Sequence, residues 1–167
     1  MNIEFRQAIL PRELSSLTRF DRKVFSPSDA FPPSYWKECE AWWMLLDGRK
    51  AGCCAFQRDI EFLEDIAPDG RNPARKGFLY IATTGLLPEY QGRNLGAMLK
   101  AWEIAYARHH GYHRILTNTR RRNKRMIELN KAFGFQILRT TPRYYAEPLD
   151  ATVVMELRLP RKKTLNG

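Results

Sequence analysis

The sequence predicts a mixed α/β domain, with strands and helices alternating through its middle and hairpins towards both ends. Two observations carry that prediction. Apolar runs flank Asp47-Gly48-Arg49-Lys50, which marks a hairpin. Between Gly77 and Phe135 a strand, a helix, a second strand and a second helix follow in order. At 167 residues the chain is one domain with room for a sizeable core. Residues 1–160 are read as that domain, and 161–167, carrying Arg161-Lys162-Lys163, as a basic tail expected to fray.

Ile3 to Leu10 reads as a first strand ended by Pro11. Pro11 suits the opening turn of a helix running to about Asp21, with Leu14, Leu17 and Phe20 at helical spacing. Phe25 to Pro33, rich in Ser and Pro, reads as a loop, and Pro33 to Glu40 as a short helix carrying Tyr35 and Trp36. Ala41 to Leu46 and Ala51 to Asp59 are the hairpin strands, so Cys53 and Cys54 should point to opposite faces. Glu61 to Lys76 holds Pro68, Asp69-Gly70 and Asn72-Pro73 and reads as a long, turn-rich connection. Gly77 to Leu87 is the fourth strand. Leu95 to His109 is a helix with Leu95, Met98, Leu99, Trp102, Ala105 and Tyr106 on one face, ended by Gly111. His113 to Thr119 is a strand, and Lys124 to Phe133 a helix turning Met126, Leu129 and Phe133 inward. Two strands, Phe135–Thr140 and Ala151–Leu159, close the chain.

Composition narrows the function classes. No apolar stretch approaches the roughly 18 residues of a membrane span, so no membrane partner is expected. Met1 to Arg6 begins an alternating strand rather than a secretory leader, which makes the cytoplasm the default compartment. Cys39, Cys53 and Cys54 lack CxxC spacing and read as small buried hydrophobes. His109, His110 and His113 have no metal-ligand context, so no metal is expected. The formal net charge of +10 admits an anionic cofactor, a nucleic acid or an acidic protein surface. Arg114, Arg120, Arg121, Arg122, Lys124 and Arg125 form an acid-free cluster. No motif that reads RNA or DNA accompanies it and no aromatics interleave with it, which disfavours nucleic acid.

The turn Glu89-Tyr90-Gln91-Gly92-Arg93-Asn94-Leu95-Gly96-Ala97 follows Leu86-Leu87-Pro88 and opens the long helix. A glycine-bearing, cationic turn running into a helix N-terminus suits a pyrophosphate, because spare N–H groups and the helix dipole both favour negative charge there. An ordinary strand-to-helix turn is the plainer alternative. The stretch Leu79 to Phe135 resembles the acetyl-CoA-binding core of the GCN5-related N-acetyltransferases. That family's turn is written Gln or Arg, two residues, Gly, one residue, Gly or Ala. Gln91 and Gly96 fit it, while Asn94 replaces the middle glycine, a mild departure because asparagine tolerates left-handed backbone. Further on, Asn123, Met126, Leu129-Asn130 and Gly134-Phe135 occupy the spacings where the family carries Asn, a small apolar residue, Leu-Tyr and Gly-Phe. Arg143-Tyr144-Tyr145 and Asp150 to Leu157 look like the closing segment of protein N-terminal acetyltransferases, among them the bacterial ribosomal-protein type.

The resemblance implies a mostly antiparallel central sheet, a splayed wedge between strands four and five, and helices on both faces. It implies acetyl-CoA as cofactor. Backbone N–H groups of Thr84, Leu86 and Leu87 would hold pantetheine and carbonyl, and Gln91, Gly92, Arg93, Asn94, Leu95, Gly96 and Ala97 the pyrophosphate. Asn123 would either cap its helix or bond the pantetheine arm. The acceptor would be a primary amine of a small molecule or protein N-terminus, and the enzyme a monomer or homodimer. Asn118 and Asn130 stand where bacterial members place a glutamate and a tyrosine, and neither carries a proton at neutral pH. Asp59, Glu61, Glu64, Asp65 or water is left as base. Tyr144 or Tyr145 is left as catalytic acid, unless both are merely half-buried loop aromatics. A non-catalytic acyl-CoA binder and a basic nucleic-acid-binding module stay as alternatives.

Overall fold

A computed structural model describes residues 1–57 and 78–160. Strands β1 (Ile3–Gln7), β2 (Glu40–Leu46), β3 (Arg49–Gln57), β4 (Phe78–Leu86), β5 (Arg114–Arg120), β6 (Gln136–Ala146) and β7 (Leu149–Arg158) form one sheet in the order β1-β2-β3-β4-β5-β7-β6. Every neighbouring pair is antiparallel except β4 and β5, which are parallel. The helices are α1 (Leu14–Val24), α2 (Pro33–Lys37), α3 (Leu95–His109) and α4 (Lys124–Ala132). The mixed, mostly antiparallel sheet is the one the sequence led us to expect.

Strand alternation splits the core in two. Trp43, Leu45, Cys53 and Ala55 pack with Leu17 and Phe20 of α1 and Trp36 of α2. Met44, Cys54 and Phe56 pack with Leu95, Leu99 and Ile104 of α3 and Ile127 of α4. Helices therefore cover both faces, and Cys53 and Cys54 do point apart. All three cysteines are free and buried. Burial pushes the Cys39 thiol up to about 12 and raises the other two, so none is a ready nucleophile.

Several boundaries move for identifiable reasons. Asp47 and Gly48 take φ of +48° and +78°, the left-handed pair of a two-residue hairpin, so β3 begins at Arg49 rather than Ala51. β1 stops at Gln7, and α1 starts at Leu14 rather than Pro11. Between them the Glu13 carboxylate accepts from Arg6 (2.9 Å) and the Ile9 N–H (2.8 Å), tying the turn back to β1. In α3, Met98 and Ala105 face solvent while Lys100 and Glu103 are buried. In α4 the buried positions are Ile127 and Asn130, with Met126, Leu129 and Phe133 only partly covered.

The largest change is in β6, expected to end at Thr140 but running to Ala146. As an edge strand it tolerates Pro142. Its register on β7 shifts between Thr141 and Tyr145, and Arg143 takes φ of +53°. Tyr144 and Tyr145 are thus strand residues beyond a bulge, not loop residues, and bulges of this kind re-aim side chains. The Glu61–Lys76 connection, Asp59 and the 161–167 tail lie outside the described residues. Among the described residues no helix is long and apolar enough to cross a membrane.

Candidate active site

The site begins where two parallel strands part. β4 and β5 pair from Phe78–Arg114 to Ile81–Thr117 and no further. Beyond that point β4 stays on β3 to Leu86, and β5 stays on β7 to Arg120. The Thr117 hydroxyl donates to the Ile81 carbonyl at the apex (3.2 Å). A cavity of about 430 Å³ opens from this gap, with Thr84, Asn118, Asn123, Met126, Tyr144 and Tyr145 among its walls.

Backbone direction along β4 decides which amides face the gap. The Leu87 N–H donates to the Ala51 carbonyl (2.9 Å), so Leu87 faces β3. In-plane backbone groups alternate from residue to residue along a strand, which turns Leu86 and Thr84 towards β5. The Leu86 carbonyl accepts from Gln91 Nε2 on that side (3.1 Å). Of the three donors expected on this strand, Thr84 and Leu86 fit the gap, and the Leu87 amide is committed elsewhere.

Next to the gap lies the turn into α3. Gly92 (φ +76°) and Asn94 (φ +62°) are both left-handed, so asparagine does supply the conformation of the glycine it replaces. Gln91, Gly92, Arg93 and Asn94 are exposed, while Leu95 is buried and anchors the helix start. The Asn94 side chain makes no capping bond and the first turn holds no acid, so its amides stay available to an anion. A Cβ on Gly96 would meet Leu86 at 3.8 Å and Leu129 at 3.9 Å, ordinary contact distances without a clash. An uncapped helix start and exposed, left-handed turn residues fit a diphosphate followed by an extended arm entering the gap. Asn123 accepts from the Met126 N–H (3.2 Å), capping α4, and also lines the cavity.

Tyrosines dominate the far side of the cavity. Tyr80 OH donates to Asn118 Oδ1 (2.5 Å), and Asn118 Nδ2 reaches Thr152 Oγ1 (3.0 Å) and Tyr145 OH (3.4 Å). Tyr144 and Tyr145 meet edge to face with centroids 5.0 Å apart. Burial raises the pKa of Tyr35, Tyr80 and Tyr145, so these phenols keep their protons at neutral pH. Asn118 therefore lies in the site but is held in a network. Asn130 is buried in α4, its amide against Met155 Sδ (3.7 Å), and is not among the cavity residues.

Three features of the site were not foreseen. Tyr80, read only as part of a strand, faces the cavity. Arg120 is not a free cation: its guanidinium grips both oxygens of Asp29 (2.8 and 2.7 Å) and lies 4.2 Å from the Tyr145 ring centroid. Arg114 is likewise taken, paired with Glu156 (2.6 Å), whereas Arg121, Arg122, Lys124 and Arg125 are exposed beside α4. Below the gap, Lys100 and Glu103 form a fully buried pair (2.7 Å), and the Thr84 hydroxyl donates to Glu103. An i,i+3 pair of opposite charges looks like a surface pair in sequence, which hid this one. Asp59, Glu61, Glu64 and Asp65 lie outside the described residues. Among the described residues no cluster could hold a metal ion.

The sequence model of the acetyltransferase (GNAT) family matches residues 11–135. No curated protein matches the chain by sequence. Among solved structures, the ribosomal-protein-S18-alanine N-acetyltransferase of Escherichia coli is similar at TM-score 0.78 and 13% identity, covering 99% of this chain and 100% of that one. The yncA protein of Salmonella typhimurium, solved with its cofactor acetyl-CoA, gives TM-score 0.73 at 16% identity over 100% and 99%. An N-acetyltransferase from Staphylococcus aureus Mu50 gives 0.73 at 16% identity over 96% and 100%. At these identities the structural likenesses speak for the fold.

Proposed function

The chain belongs to the acetyltransferase (GNAT) family, and from that premise we propose that it moves an acetyl group from acetyl-CoA to a primary amine by direct attack in a ternary complex. Members of the family use acetyl-CoA. The observation that carries the proposal is the parting of β4 and β5 after Ile81 and Thr117, beside an uncapped helix N-terminus. When bound, acetyl-CoA supplies the activated acyl group. Amides of Gly92 to Ala97 would hold its diphosphate, the Gln91 N–H being taken by the Pro88 carbonyl (3.2 Å), and the Thr84 and Leu86 amides would hold the pantetheine arm and polarise the carbonyl. Asn123 stands at the mouth of the gap, where its amide reaches the arm without giving up its cap.

In the reaction the amine nitrogen bonds to the acyl carbon as the carbon–sulfur bond breaks. One proton leaves the nitrogen and one reaches the sulfur. Tyr145, or Tyr144 beside it, donates to the sulfur. Water, or one of Asp59, Glu61, Glu64 and Asp65, takes the proton from the amine. The acceptor is a small-molecule amine or a protein N-terminus, as in the ribosomal-protein-acetylating neighbour, and the setting is the cytoplasm. A second reading, a non-catalytic acyl-CoA binder, is favoured only by Asn118 and Asn130 standing where the proton carriers of related enzymes would be.

Thiol release from acetyl-CoA, measured against peptides, polyamines, aminoglycosides and amino acids, tests the proposal. Amine-dependent release is expected. Acetyl-CoA binding without acetylation of any amine would favour the non-catalytic reading.

A further inference from the structure

We infer that the acceptor is an amine carrying a single positive charge and a bulky apolar or aromatic neighbour, preferred over polycationic amines. The inference rests on the transferase reading above and names the substrate class of the same site. On the side away from α3 and α4, the cavity is walled by Phe25, Phe31 and Pro32 of the α1–α2 segment, by Tyr35, and by Tyr144 and Tyr145 of β6. The segment is held in place: the Asp21 carboxylate accepts the Phe31 N–H (2.5 Å), and Phe31 packs on Tyr35 and Trp36. These walls are ring faces and a proline, built before any ligand arrives.

Their polar atoms are already engaged. Tyr35 OH donates to Gln57 (2.6 Å), Tyr80 OH to Asn118 (2.5 Å), and Tyr145 OH sits within reach of Asn118 and Thr152. The charges of the described lining cancel locally. Asp29 is its one carboxylate, and both oxygens accept from Arg120; Lys100 is paired with Glu103. Ring faces can hold one ammonium through cation–π attraction, but the Tyr145 face is already occupied by Arg120. A second ammonium would enter with no unpaired carboxylate among these residues, in a chain of net charge +10. An apolar or aromatic group beside the reacting amine instead gains contact along the whole wall.

One chemistry here has two sources, a small arylalkylamine or a peptide N-terminus with a bulky apolar first residue. The test assays the wild-type protein with acetyl-CoA against phenethylamine, a Leu-initiated peptide, an Asp-initiated peptide and spermidine. Isothermal titration of N-acetylphenethylamine and N-acetylspermidine in the presence of coenzyme A runs alongside. The expected result is kcat/KM at least about tenfold higher for phenethylamine or the Leu peptide than for spermidine and the Asp peptide, as a burial mismatch of this kind gives. Whichever leads identifies the source. Spermidine turned over as well as either apolar amine would overturn the inference. Should no amine be acetylated, the transferase reading fails, and the titration still decides the pocket. Preferential binding of N-acetylphenethylamine supports it, and equal or absent binding of the two products overturns it.

Discussion

At the scale of residues, the proton inventory of the site is phenolic. Tyr80, Tyr144 and Tyr145 face the cavity and Asn118 links two of them, while the one described carboxylate in the lining is neutralised by Arg120. Burial lifts Tyr145 above its usual 10, so its proton is present across the neutral range and any alkaline fall in kcat from this group comes above pH 10. Tyr145→Phe keeps the ring and removes the proton. Its hydroxyl contacts with Asn118 and Thr152 are long (3.4 and 3.5 Å), so the thermal midpoint should barely move. If Tyr145 is the acid, kcat falls about 10²–10⁴-fold with acetyl-CoA affinity intact. If Tyr144 serves instead, Tyr144→Phe gives that loss. Full activity in both single variants and in the double variant would remove tyrosine from the proton path.

At the scale of elements, two connections hold the frame around the site. Glu13 joins β1, the turn before α1 and β3 by accepting from Arg6, the Ile9 N–H and Lys50 (3.3 Å). Hydrogen bonds from Arg6 above all lower its pKa to about 2. A depressed carboxylate stabilises the fold fully above its unfolded value of 4.5, and the contribution is lost as pH falls towards 2. Acid unfolding of the wild type should therefore steepen over that window, and Glu13→Gln should flatten it in denaturation curves recorded from pH 6 to pH 2. The second connection is the exposed start of α4. Lys124 is exposed there, next in sequence to Asn123 of the cavity wall, while Arg122 is drawn towards Asp150 (3.3 Å). Lys124→Ala should weaken coenzyme A more than dephospho-coenzyme A, because the 3′-phosphate is the partner lost. Equal losses, together with tight and salt-sensitive RNA or duplex binding by the wild type, would support the nucleic-acid alternative.

At the scale of the whole molecule, the sheet, the alternation of helices and the turn into α3 were legible because each rests on local signals. Asp47-Gly48 announces its hairpin, and Gln91 to Ala97 announces a helix start that is open to an anion. Of the acceptor side only Tyr144 and Tyr145 were legible, through the family resemblance; its other walls come from Phe31, Tyr35 and Tyr80, which meet them only after the chain has folded. The reach of β6 past Pro142 was hidden for a similar reason: a proline reads as a strand end unless the strand is known to lie at an edge. The buried Lys100–Glu103 pair disguised the inward stripe of α3. Central to the proposed function is that acetyl-CoA binds at the α3 turn and enters between β4 and β5. Isothermal titration of acetyl-CoA into wild type and Gly96→Glu tests this most directly, with circular dichroism and thermal unfolding confirming that the variant is folded. A Cβ at Gly96 meets only ordinary contacts, so the fold should survive. The predicted result is saturable one-to-one binding by the wild type and none by the variant, whose carboxylate would meet the diphosphate. Unchanged affinity in a folded Gly96→Glu protein would contradict the account.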